Sequence, residues 1–105
     1  MRHVVITGAG SGIGRETALE FARHGDVLTL VDLDQDAAAE TAALAGAAGG
    51  AEIRVIAADL RGPEAPADLI ERVWSEAAID VLVASAGVYP ATPFLELDAR
   101  TWDFV

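Results

Sequence analysis

A chain of 105 residues, 52% of them hydrophobic and with a formal net charge of −10, is long enough for one small core and excludes a two-domain enzyme. Its apolar stretches, such as VLTLV at 27–31, are strand-length, which excludes a bilayer span, and the lack of cysteine excludes disulfides. Seven arginines scattered along a lysine-free, acidic chain disfavour nucleic acid as a partner, so a bound anion has to be held by local geometry.

The N-terminus, MRHVVITG, runs straight into structure without an apolar leader, and the expected location is the cytoplasm. His3 to Thr7 reads as a first strand of β-branched residues. After the glycine-rich TGAGSGIG at 7–14, the small or apolar Gly14, Ala18, Phe21 and Ala22 recur at helical spacing, and Gly25 reads as the stop. Val27 to Val31 is the second strand. Asp34 is placed to cap the alanine-rich helix DAAAETAALAGA, which Gly49 and Gly50 end.

Ile53 to Ala57 is the third strand. The next helix is expected from around Pro63, with Leu69, Ile70, Val73, Trp74 and Ala77 on one stripe and Trp74 in the core. Ile79 to Ser85 is the fourth strand. A turn-rich loop, SAGVYPATPF, leads to LDARTWDFV, which reads as a helix capped by Asp98 and cut short. Strands alternating with helices predict an α/β fold with a parallel sheet. The expected architecture is the first half of a Rossmann-like, doubly wound domain, strand order 3-2-1-4, with right-handed crossovers, filling residues 1–105 as a single partial domain.

A glycine loop between a parallel strand and a helix N-terminus turns backbone N–H groups and the positive end of the helix dipole toward one point, which suits an anion. The spacing narrows the ligand. A P-loop requires Lys-Ser or Lys-Thr after its last glycine, where this chain has Arg15-Glu16. The G-x-G-x-x-G fingerprint fails as well, because Ile13 stands where its third glycine would fall.

The pattern T-G-x-x-x-G-I-G resembles the short-chain dehydrogenase/reductase family, and three further matches follow in order. Asp32 closes the second strand, Asp59-Leu60 follows the third, and DVLVASAG at 80–87 is similar to the family's D-x-L-V-N-N-A-G segment. Thr101-Trp102-Asp103 resembles the start of the next long helix. The resemblance implies an oxidoreductase passing hydride between nicotinamide and a carbonyl or alcohol, with NAD as cofactor. It places cofactor contacts at Gly8, Ser11, Gly12, Ile13 and Gly14 for the pyrophosphate loop and Asp32 and Leu33 for the adenosine ribose. Asp59 and Leu60 fall near the adenine, and Ala84, Ala86 and Gly87 contribute through the backbone. Ala84 and Ser85 replace the family's two asparagines, so those side-chain amides are absent. The family's catalytic serine, tyrosine and lysine fall beyond this sequence, so no catalytic residue is assigned and the chain is expected to be inactive alone.

Some residues admit a second reading. Asp32 sits near Asp34 and Asp36, where it would also serve as a solvated helix cap. Asp59 would equally cap a turn. Arg15 is placed either to neutralise a pyrophosphate or to pair with Glu16 or Asp36. His3 and His24 lack a second ligand at metal spacing and read as structural, so no metal is expected. Tyr89, bounded by Pro90, reads as lining the cofactor mouth, and Trp102 as a packing anchor. An open apolar edge on VLVAS predicts self-association. A small-molecule substrate is expected only for a longer form of a truncated chain. The alternative is a non-catalytic dinucleotide-binding or assembly module.

Overall fold

The computed structural model describes residues 2–85. Four parallel strands form one sheet in the order β3-β2-β1-β4, with β1 at His3–Thr7, β2 at Val27–Asp32, β3 at Ile53–Ala57 and β4 at Val81–Ala84. The expected α/β class and strand order are what is found. Helices α1 (Gly12–Arg23), α2 (Gln35–Ala48) and α3 (Ala65–Glu76) occupy the three connections.

The core follows from period-two alternation in strands buried on both faces. Val4, Ile6, Leu28 and Leu30 face one side, where they meet Ala18 and Ala22 of α1 and Ala45 of α2. Val5 and Val31 face the other, against Leu69 and Val73 of α3. Each fully buried aliphatic contributes about 1.5–3 kcal/mol. Small residues on α1 and α2 let those helices sit close to the sheet, which brings the start of α1 over the end of β1.

Local signals ended the first two helices where the sequence predicts. Gly25 takes φ 76 after α1, and its N–H donates to Ala22 O at 2.9 Å. Asp34 caps α2 by accepting the Ala37 N–H at 3.1 Å, and Gly49 closes it at φ 118.

Three expectations need correction. Helix α3 starts at Ala65, with Pro66 in its first turn, because Gly62 still turns the chain at φ 97 and leaves Pro63 outside. Trp74 is 57% exposed rather than core. Leu69 and Val73, four residues apart, form the ridge that meets the sheet, and Trp74 lies about 100° further round the helix. The fourth strand is also shorter than 79–85, running over Val81–Ala84, although Asp80 N–H still donates to His3 O of β1 at 2.9 Å and Ile79 packs into the α3-side core.

His3 ties the opposite end of the sheet together. Its Nδ1 lies 3.0 Å from Ala78 O and its Nε2 2.7 Å from Thr29 Oγ1. His24 Nδ1 lies 2.9 Å from Glu20 O, near the end of α1.

Candidate functional site

Parallel pairing aligns Thr7 with Val31 on one side and Ala84 on the other, so the C-terminal ends of β1, β2 and β4 open at one edge. The chain leaves β1 there through Gly8, at φ 68, and enters α1 through Gly12, at φ 56, conformations that L side chains rarely adopt. Among the described residues a Cβ on Gly12 would meet nothing within 4 Å, so the loop borders open space on their side. Gly14 is the reverse case. A Cβ there would overlap Gly8 O and lie 2.7 Å from Gly8 C and 2.8 Å from Ser85 Oγ, so only glycine lets the first turn of α1 rest on the strand end.

Ser11 occupies the N-cap position of α1, but its side chain makes no capping bond. Arg15 N–H donates to Ser11 O at 3.3 Å, whereas the N–H groups of Gly12, Ile13 and Gly14 meet no acceptor among the described residues. A helix N-terminus left in this state, at the edge of an open space, presents donors and positive dipole to an anion. Ile13, in the first turn of α1, is 79% exposed, and Leu33, next after β2, is 66% exposed.

Asp32 closes β2 and crosses to the loop. Its Oδ2 accepts the Gly10 N–H at 2.8 Å and its Oδ1 the Asp34 N–H at 2.9 Å. The cap of α2 is Asp34, so Asp32 is left with unfilled lone pairs on a carboxylate whose orientation is set from two sides.

Ser85, in place of one asparagine, donates from Oγ to Thr7 O at 2.5 Å and so links the ends of β4 and β1. Ala84 is the last residue of β4. Ala86, Gly87, Tyr89 and Trp102 lie outside the described residues.

Two charged contacts have no clear signal in the sequence. Asp59, two residues beyond β3, is gripped by Arg61, with Nη2 to Oδ2 at 2.6 Å, Nε to Oδ1 at 2.9 Å and the Arg61 N–H to Oδ1 at 3.0 Å. That i,i+2 loop pairing lowers the Asp59 carboxyl from 3.8 to about 2, chiefly through the side-chain hydrogen bonds. Because the folded value is the lower one, the contact stabilises the fold fully above pH 3.8 and is lost as pH falls toward about 2. A carboxyl-carbon NMR titration is expected to place Asp59 near that value, and Arg61→Ala to return it toward the ordinary carboxylate range. Leu60 between them packs against the α3-side core.

Arg15 corrects one of its two expected roles, the pairing with Glu16 or Asp36. It pairs with neither Glu16 nor Asp36. Instead Nε donates to Thr41 Oγ1 at 2.9 Å, Nη2 to Gly10 O at 2.7 Å and to Ala37 O at 3.3 Å, and Nη1 to Glu40 at 3.3 Å. The guanidinium is engaged by α2 and the loop backbone.

The family model described as short chain dehydrogenase matches residues 2–105. The chain belongs to the short-chain dehydrogenase family. This dehydrogenase segment is 42% identical over 103 residues to the "Probable oxidoreductase EphD" of Mycobacterium tuberculosis, covering 97% of this chain and 17% of that protein. Among solved structures, the bulky-bulky ketone specific alcohol dehydrogenase from Comamonas testosteroni superposes with a TM-score of 0.82 at 31% identity, over 98% of this chain and 41% of that one. A short-chain dehydrogenase from Sphingobium yanoikuyae, solved with NADPH, gives 0.82 at 33% identity, over 98% of this chain and 41% of that one. The dehydrogenase segment therefore spans well under half the length of these relatives. The family binds a nicotinamide dinucleotide, and the unpartnered N–H groups, the open space at Gly12 and the braced Asp32 fit such a ligand.

Proposed function

We propose that this chain is the NAD(H)-binding portion of a short-chain dehydrogenase/reductase. The observation that carries the reading is the pairing of two features at one sheet edge: the N–H groups of Gly12, Ile13 and Gly14, which meet no acceptor among the described residues, and the Asp32 carboxylate held by Gly10 and Asp34. The N–H groups hold the pyrophosphate, with Gly8 and Ser11 shaping the turn. Asp32 accepts the ribose hydroxyls, Leu33 and Ile13 border the adenosine, and Asp59 and Leu60 lie toward the adenine. The backbone at Ala84 lies on the cofactor side of the site, and the contacts expected of Ala86 and Gly87 fall outside the described residues. The nicotinamide, when bound, supplies hydride to a carbonyl or takes it from an alcohol in the complete protein.

NAD is preferred over NADP in this reading because Asp32 would face the 2'-phosphate and neither Ser11 nor Leu33 is basic. The NADPH in the Sphingobium yanoikuyae structure belongs to that protein. Here the nearby guanidinium of Arg15 is already divided among Gly10 O, Ala37 O, Thr41 and Glu40. A cytoplasmic location is part of the proposal, and no described helix is long and apolar enough to cross a membrane.

Titrating the purified chain with NADH and NADPH, followed by nicotinamide fluorescence, tests the reading. Saturable NADH binding, tighter than NADPH, is expected, and equal affinities would contradict the assignment of Asp32. No turnover of secondary alcohols by the 105-residue chain is expected, because it contains no lysine to lower the pKa of a tyrosine donor, and a missing general acid costs about two to four orders of magnitude in rate. Self-association belongs to the same proposal. Among the described residues β4 pairs with β1 alone, and Leu82 is 50% exposed. Sedimentation is expected to give a species larger than the monomer, and a clean monomer would contradict it.

A further inference from the structure

The segment Ala9–Gly10 crosses the ends of β1 and β2, and all four of its backbone polar groups are occupied. Ala9 N–H donates to Val31 O at 3.1 Å and Gly10 N–H to Asp32 Oδ2 at 2.8 Å, so both donors are spent on β2. The two carbonyls turn the other way. Ala9 O accepts the Thr41 hydroxyl at 2.8 Å, and Gly10 O accepts Arg15 Nη2 at 2.7 Å. Arg15 and Thr41 are joined in turn, with Nε donating to Oγ1 at 2.9 Å, while the hydroxyl donates chiefly to Ala9 O at 2.8 Å and has Ala37 O as a longer second acceptor at 3.3 Å.

This arrangement is buried. Ala9 and Thr41 are fully buried, and the Arg15 side chain is 24% exposed. A guanidinium suits the place because its rigid fork reaches Thr41, Gly10 O, Ala37 O and Glu40 at once, which a single ammonium cannot do. The charge therefore acts on the peptide behind the loop. The Gly10 N–H shares its planar peptide with Ala9 O, which Thr41 holds, while Arg15 holds Gly10 O in the next peptide and braces Thr41 itself. Were these donors lost, the two peptides flanking Gly10 would be free to rotate and its N–H would move off Asp32.

We propose that Arg15 and Thr41 are positioning residues for the adenosine half of the dinucleotide: Thr41 clamps the Ala9–Gly10 peptide, and Arg15 braces Thr41 and the Gly10–Ser11 peptide, so that the Gly10 N–H holds the Asp32 carboxylate toward the ribose diol. The inference rests on the NAD(H) reading above and adds to it two residues, one of them on α2, that touch no part of the cofactor. Their effect on binding passes through Asp32.

The test is a set of NADH titrations of the 105-residue chain carrying Arg15→Met, Arg15→Lys or Thr41→Val, alone and combined with Asp32→Ala, with thermal unfolding recorded for each. Arg15→Met and Thr41→Val are each expected to weaken NADH about tenfold, the scale of one lost hydrogen bond to a charged group or a buried acceptor left unpaired. Lysine at position 15 is expected not to restore binding. In the Asp32→Ala background the same substitutions are expected to cost no more than about twofold, since residues acting through one partner are not additive. Should Arg15→Met fail to fold, Thr41→Val, which keeps the shape of the side chain, gives the same comparison. Unchanged NADH affinity in the folded variants overturns the clamp, as does the full loss persisting without Asp32. Recovery by Arg15→Lys overturns it too, and would mean direct attraction between charge and pyrophosphate. A wild-type chain that binds no NADH overturns the parent reading and the clamp together, whereas a binding wild type with indifferent variants overturns the clamp alone.

Discussion

Gly14→Ala is expected to abolish saturable NADH binding and to lower the stability of the chain by about 1–3 kcal/mol, the usual cost of forcing extra volume into a packed site. The added methyl would overlap Gly8 O and lie 2.8 Å from Ser85 Oγ, and neither can retreat easily. Gly8 O belongs to backbone held at φ 68, and Ser85 is anchored on Thr7 O. Relief comes only by lifting α1 from the end of β1, which moves the Gly12–Gly14 N–H groups away from the sheet edge. Gly25→Ala is the useful contrast. It also places a side chain at positive φ, 76, but a Cβ there meets nothing within 4 Å and the site lies at the far end of α1. Its cost should appear in thermal unfolding and leave NADH affinity intact. Loss of binding in both variants would mean that general destabilisation, rather than loop geometry, governs the ligand.

Asp32→Ala is expected to weaken NADH and strengthen NADPH, so that the preference between them narrows by about one to two orders of magnitude. Two effects add. The ribose hydroxyls lose a charged acceptor, worth about 1.5–3 kcal/mol, and each 1.4 kcal/mol is tenfold in affinity. The 2'-phosphate also loses the like charge that would oppose it. Asp34→Ala supplies the control, because Asp34 is two residues away with the same charge but spends its Oδ1 on the Ala37 N–H as the cap of α2. That variant should lose about 1 kcal/mol of stability and keep the cofactor preference. If Asp34→Ala shifts the preference as much as Asp32→Ala, net negative charge at this edge is the discriminator and the ribose assignment fails.

The sheet was legible because its signals are local. VVIT after His3, and VLTLV, are β-branched or aliphatic along their whole length, as suits strands buried on both faces, and β1 is indeed buried at all five positions. Caps are equally local: Asp34 and Gly49 needed only their neighbours in sequence to specify where α2 begins and ends. Trp74 escaped because the stripe of α3 is wide, and which edge of it meets the sheet depends on how the whole helix is seated. Within the site, the glycines and Asp32 stood out because dihedral demands and strand ends are readable in one dimension. Arg15 did not, since its partners Ala37, Glu40 and Thr41 come from a helix that folding alone brings beside it. The sequence named a charge near the loop, but the side of the loop on which it acts is a tertiary fact.

The central claim is that the dinucleotide lies on the start of α1 and the end of β2. It is tested most directly by following the backbone amide resonances of the isotope-labelled chain as NADH is added. The account predicts saturable shifts at Gly12, Ile13 and Gly14, whose N–H groups take up an acceptor, and at Gly10 and Asp34, whose N–H groups report the Asp32 carboxylate. Residues of α3 and the far ends of the strands, such as His3 and Val27, should stay unmoved. Shifts confined to other surfaces, or none at saturating NADH, would contradict it.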